Sequence, residues 1–146
     1  MRLKPQTYAV TISTYQQHRH FQRTANAELF IATLRRYRDA RKFLLHGFVV
    51  MPDHVHVLIT PSESTAKAVQ LIKGGYSHAA RQQSTSEIWH TGYHEHRIRD
   101  LADFQAQKQY IANNPIRKGY SNYPYVHTTH SAPLDVPSHF MEQPCS

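Results

Sequence analysis

The chain has 146 residues, 40% hydrophobic and 18% charged, the composition of one globular domain with apolar side chains enough for its own core. No apolar run approaches a membrane span, the opening Met1-Arg2-Leu3-Lys4-Pro5 lacks the apolar core of a secretion signal, and the lone Cys145 has no intrachain partner, so a cytoplasmic protein without disulfides is expected. Lys and Arg number 17 against 10 Asp and Glu, a net charge of +7 that favours a polyanionic partner, most simply nucleic acid.

Along the chain, Tyr8-Ala9-Val10-Thr11-Ile12-Ser13 alternates as a half-buried strand does. Residues 15–23 are polar and basic and read as a loop, leading to a helix capped near Thr24 or Asn26 and running to about Asp39, with Ala27, Phe30, Leu34 and Tyr37 at helical spacing. The apolar run Phe43 to Met51, the turn Pro52-Asp53 and the run His54 to Thr60 make a hairpin. A second helix is expected from about Thr65 to Arg81, carrying a Gly74-Gly75 pair that requires a bend, a break or a close backbone approach. The polar connection Gln82 to Glu87 precedes an irregular strand, or two short ones broken at Gly92, over Ile88 to Arg99. A third helix runs from about Leu101 to Asn113 and is expected to stop before Asn114-Pro115. Residues 1–125 thus form one domain, and the proline-rich 126–146 are expected to be an extended, partly mobile tail.

Two features carry chemistry. On a strand His54 and His56 point to one face while Val55, Val57 and Ile59 point to the other, so two imidazoles stand side by side opposite a buried face. They can share a divalent cation, or be ordinary sheet histidines among the 12 in the chain. On the third helix Leu101, Phe104 and Ile111 make an apolar stripe, whereas Asp103, Gln107, Tyr110 and Asn114 make a polar one, with Tyr110 one turn from Asn114. If that polar stripe packs over the histidine face, a phenol, a carboxamide oxygen and two imidazoles converge on a site suited to Mg²⁺ or Mn²⁺ holding a phosphate. The plainer readings are a helix-anchoring tyrosine and an Asn-Pro helix stop. A second pair, His94 and His96, competes for the metal, but its charged surroundings favour exposed histidines near phosphate.

Three stretches together resemble a known family: Met51-Pro52-Asp53-His54-Val55-His56-Val57-Leu58, Trp89 to Asp100, and Gln109-Tyr110-Ile111-Ala112-Asn113-Asn114-Pro115. In this order they are similar to the single-tyrosine HUH transposases, especially the REP-associated branch. The resemblance implies an α+β ferredoxin-like sandwich with an antiparallel sheet. It also implies His54, His56 and Asn114 as metal ligands, Tyr110 as nucleophile, and a 5′-phosphotyrosine intermediate in cutting and rejoining single-stranded hairpin DNA. Lys73-Gly74-Gly75-Tyr76 lies where relatives carry a similar Lys-Gly-x-Tyr segment. Candidate DNA contacts are Lys73, Tyr76, Arg81, Trp89, Tyr93, Arg97, Arg99, Arg117 and Lys118, although Trp89 and Tyr93 also suit a core. Both a homodimer and a monomer fit the family. The competing functions are a non-catalytic basic nucleic-acid-binding domain and a hydrolytic metalloenzyme that uses water as nucleophile.

Overall fold

Four stretches of the chain pair into one antiparallel sheet, in which neighbouring strands satisfy one another's backbone groups. A computed structural model describes residues 5–81 and 87–137; Cys145, the last nine residues of the expected tail and nearly all of the polar connection after Arg81 lie outside them. The element order is β1 (Tyr8–Ser13), α1 (Thr24–Asp39), β2 (Phe43–Met51), β3 (His54–Pro61), α2 (Thr65–Ala80), β4 (His94–Arg97) and α3 (Leu101–Arg117). The strands lie in the order β2-β3-β1-β4, all antiparallel. This is the expected ferredoxin-like sandwich, with β1 and β3 side by side in the centre.

Each sheet face has its own core. Val10, Ile12, Val55, Val57 and Ile59 point to the side covered by α1 and α2, where Phe30, Leu34, Ile72 and Tyr76 meet them. The opposite face offers Val49, Met51 and Leu58, and there Phe104 and Ile111 of α3 seal a second, smaller core with Ile98 and Val126. A register shift between Leu45 and Gly47 in β2 changes the side-chain parity, so that Phe48 and Val50 still join Phe43 and Leu45 in the first core. By the same alternation His54 and His56 lie on the face that α3 covers.

Local chemistry explains the helix limits. Neither Thr24 nor Asn26 caps α1: Arg23 holds the cap position, and the Asn26 amide donates to the His20 carbonyl, in a connection folded into two single 3-10 turns. The Ser64 hydroxyl caps α2 by accepting from the Lys67 N–H. Gly75 allows α1 and α2 to approach closely, since a Cβ there would overlap the Tyr37 ring. Its neighbour Gly74 faces open space.

The helix over the second face departs from expectation. It does not stop before Pro115 but continues to Arg117, with Pro115 inside it. Pro115 cannot donate to the Ile111 carbonyl, so one helical bond is lost there, but the carbonyls at the end of the helix are taken up by Lys118 N–H to Asn114 O and Tyr120 N–H to Pro115 O. Asn114 therefore keeps helical geometry and stays in line with Tyr110. Leu101, expected on the apolar stripe, stands exposed at the first turn.

Residues 125–135, assigned from sequence largely to a tail, run along the outer edge of β2. Val50 N–H donates to Tyr125 O, His127 N–H to Phe48 O, and Asp135 N–H to Leu45 O, while the Asp135 carboxylate accepts from Leu45 N–H and from Arg38. Pairing of this kind removes an open sheet edge. No helix among the described residues is long and apolar enough to cross a membrane.

Candidate active site at the start of β3

His54 and His56 leave the β2–β3 turn at the centre of the sheet, in register with Ser13 and Thr11 of β1. Their rings meet edge to face with centroids 4.8 Å apart, and the Tyr110 ring stands edge to face against His56 at 6.1 Å. The polar stripe of α3 thus faces the histidines from within the same chain. Asn114, one turn beyond Tyr110, is 2% exposed. Two buried polar atoms here have no hydrogen-bond partner, His56 Nε2 and Asn114 Oδ1. Buried polar atoms are almost always paired, and an imidazole nitrogen and a carboxamide oxygen left open on β3 and on the helix that covers it are groups that suit a hard or borderline divalent cation.

The electrostatics favour a neutral ligand. Burial above all, then the neighbouring His54 ring and the Arg117 and Lys118 cations, lower the His56 pKa to about 3, so its ring is uncharged near neutral pH and keeps a lone pair. Tyr110 keeps nearly half its surface exposed, where an incoming ligand can reach the hydroxyl. The Arg117 guanidinium lies 4.2 Å from the centre of its ring, a cation–π contact that fixes the ring and brings positive charge beside the phenol.

Two further residues hold the imidazoles from behind: Asp53 Oδ1 lies 2.7 Å from His54 Nδ1, and Thr11 Oγ1 lies 2.9 Å from His56 Nδ1. Sequence reasoning took Asp53 as a turn residue and Thr11 as a strand residue. Only adjacency to His54 could have flagged Asp53, and no sequence signal reveals Thr11, because its role depends on strand register.

Other expected site residues are placed elsewhere. Asp103 accepts from His96 Nε2 at 3.0 Å and from the Arg99 N–H at 3.0 Å, which takes it into a cluster with β4. Burial raises its carboxyl pKa, but these bonds and the nearby charges outweigh that and leave it below the usual value. His96 is thereby engaged, while His94 is exposed. Tyr76 and Trp89 are core residues and do not stack on a ligand: both pack with Phe21 and Phe30, and the Tyr76 hydroxyl meets His20 Nε2 at 2.6 Å. Lys73 spends its ammonium group on the carbonyls of His90 and Gly92, and the Trp89 indole N–H donates to the Lys73 carbonyl. These bonds close the irregular segment around Gly92, whose positive φ of 84° breaks the strand as its glycine suggested. Tyr93 is half-buried against the first core. Arg81, Arg97, Arg99, Arg117 and Lys118 are all exposed, Arg99 beside the Asp103 carboxylate at 3.5 Å and Arg117 on the Tyr110 ring.

Comparison with known proteins gives a consistent outcome. A sequence model of the family described as "Transposase IS200 like" matches residues 4–114. The chain is 27% identical over 130 residues to a REP-associated tyrosine transposase of Escherichia coli K12, covering 84% of this chain and 76% of that protein. An uncharacterized protein of Haemophilus influenzae is 30% identical over 94 residues, 47% of this chain and 52% of its own length. Among solved structures, a REP-associated tyrosine transposase bound to a REP hairpin superimposes with a TM-score of 0.73 at 22% identity, covering 86% of this chain and 78% of that one.

Proposed function

Because the chain belongs to the IS200-like transposase family, we propose that it cuts and rejoins single-stranded, hairpin-bearing DNA, with Tyr110 holding the cut strand as a 5′-phosphotyrosine. The observation that carries this reading is the meeting of Tyr110 with His56 beside two buried acceptors without partners, His56 Nε2 and Asn114 Oδ1. His54, His56 and Asn114 would hold Mg²⁺ or Mn²⁺, which when bound supplies Lewis-acid polarisation of a phosphate.

The chain's own groups account for the rest. Tyr110 Oη attacks the phosphorus, the new Tyr–O–P bond forms as the P–O3′ bond breaks, the phenol proton passes to solvent, and the 3′ oxygen takes up a proton from solvent and leaves as a 3′ hydroxyl. Arg117, stacked on the Tyr110 ring, keeps it facing the site. The exposed cations Arg97, Arg99 and Lys118 would neutralise strand phosphates. A hairpin substrate is inferred from the relative solved with one, and from the chain's likeness to a REP-associated transposase. Tyr110 and His56 face each other within one chain, so a monomer can assemble this constellation unaided.

The test is a denaturing gel with labelled hairpin DNA and Mn²⁺. The expected result is a protein–DNA adduct that disappears in Tyr110→Phe and in His56→Ala. Strand cleavage that persists in Tyr110→Phe would point instead to water as nucleophile, and salt-sensitive binding without cleavage to a non-catalytic binding domain.

A further inference from the structure

Each histidine of the pair is gripped at Nδ1, His54 by Asp53 and His56 by Thr11. We infer that Asp53 and Thr11 are positioning residues that hold His54 and His56 as their Nδ1–H tautomers, so that both rings present an Nε2 lone pair to a cation. This rests on the reading above that a divalent ion is held there.

For His54 the argument is one of valence. An ionised carboxylate can only accept, so the 2.7 Å contact between Asp53 Oδ1 and His54 Nδ1 requires the proton on Nδ1. The Asp53 main chain is held in place beside His54, since its carbonyl accepts from both the N–H and the hydroxyl of Thr14, at 3.0 and 2.9 Å. The preceding carbonyl of Pro52 accepts from the Phe21 N–H at 3.0 Å. The turn is therefore tied to the end of β1 and to the connection that follows.

A hydroxyl can donate or accept, so for His56 burial decides. Were Thr11 to donate to Nδ1, the proton of the neutral ring would sit on Nε2, which is buried and without any acceptor. With Thr11 accepting, Nε2 carries a lone pair that a cation satisfies. Thr11 is fixed by its place in β1 between Val10 and Ile12, which are 1% and 0% exposed, and by its register opposite His56. Outer-shell partners of metal-binding histidines typically set the tautomer in this way.

The experiment uses full-length protein labelled with ¹⁵N-histidine, without metal or DNA, at pH 7.5. Long-range ¹H–¹⁵N spectra report which ring nitrogen carries the proton, with His54→Asn and His56→Asn assigning the signals. The wild type should show Nδ1–H at both rings. Thr11→Val keeps the branched shape without the hydroxyl, and Asp53→Ala removes the carboxylate. Each should give mixed tautomers at its own histidine only and weaken Mn²⁺ binding, followed by the EPR signal of free Mn²⁺, by about 10–100-fold. Thr11→Ser should restore both readouts. An Nε2–H tautomer at either ring of the wild type overturns the inference, as do Thr11→Val and Asp53→Ala proteins with unchanged tautomers and Mn²⁺ affinity. If the wild type shows the stated tautomers yet binds no Mn²⁺, the positioning stands and the metal reading of the function falls. Should Thr11→Val not fold, the wild-type spectra and Asp53→Ala decide.

Discussion

Replacing Asn114 by leucine separates what this residue does for the site from what it costs the fold. Its Oδ1 is buried without a partner in a residue 2% exposed. A buried acceptor left open costs about 1–3 kcal/mol, and leucine keeps the branch at Cγ while removing it. In EDTA the Asn114→Leu protein should therefore be more stable than the wild type, by about 3 to 10 °C in Tm for a domain of this size. Mn²⁺ should reverse the order: at 100 times its Kd a ligand that binds only the folded state adds about 2.7 kcal/mol, and only the wild type retains the full ligand set. The assay is paired thermal unfolding in EDTA and in Mn²⁺, followed by circular dichroism. A leucine variant less stable than the wild type in EDTA, or one stabilised equally by Mn²⁺, would refute the assignment of Asn114 as an unsatisfied ligand.

Arg117→Ala removes a cation–π contact of about 0.5–1 kcal/mol, so single-turnover cleavage should slow about two- to fivefold with hairpin affinity little changed; an unaltered rate would end its role in orienting Tyr110. The two glycines of α2 should respond in opposite directions in urea unfolding. Gly74→Ala, in open space, should stabilise by about 0.5–1 kcal/mol, and Gly75→Ala, against the Tyr37 ring, should destabilise by about 1–3 kcal/mol. At Asp135 burial raises the carboxyl pKa, but bonds from Arg38 and the Leu45 N–H more than offset it, so the folded-state value lies below the unfolded one. Its contribution is therefore present above the unfolded pKa of about 4 and is lost as pH falls through the lower folded value. Urea midpoints from pH 7 to 3 should fall less steeply for Asp135→Ala than for the wild type, and identical slopes would contradict this.

Period and spacing settled much of this molecule before any coordinates. Alternation in residues 54–60 placed both histidines on one face and three β-branched residues on the other, and this follows from strand geometry alone. The i, i+4 spacing of Tyr110 and Asn114, with Phe104 and Ile111 on a separate stripe, likewise needed only the helical repeat. What sequence could not supply was which distant segments face each other, and at which register. Pro115 argued locally for a stop, yet the helix runs past it with Asn114 and Pro115 buried, because only one helical bond is lost there and the carbonyls beyond it are satisfied by Lys118 and Tyr120. Trp89 and Tyr76 suit a stacking platform or a core equally well by type, and only their burial among Phe21 and Phe30 decides. The tail's proline content suggested freedom, whereas Val126, His127 and Asp135 close the edge of β2 through bonds to residues about 75 to 90 positions away. Thr11 behind His56 is the clearest case: a threonine in a strand signals nothing by itself, and only the pairing of β1 with β3 brings its hydroxyl to the imidazole. Periodicity is carried by neighbouring residues and so is written in the chain, whereas register is a balance of contacts between segments far apart in it, and tertiary structure alone decides it.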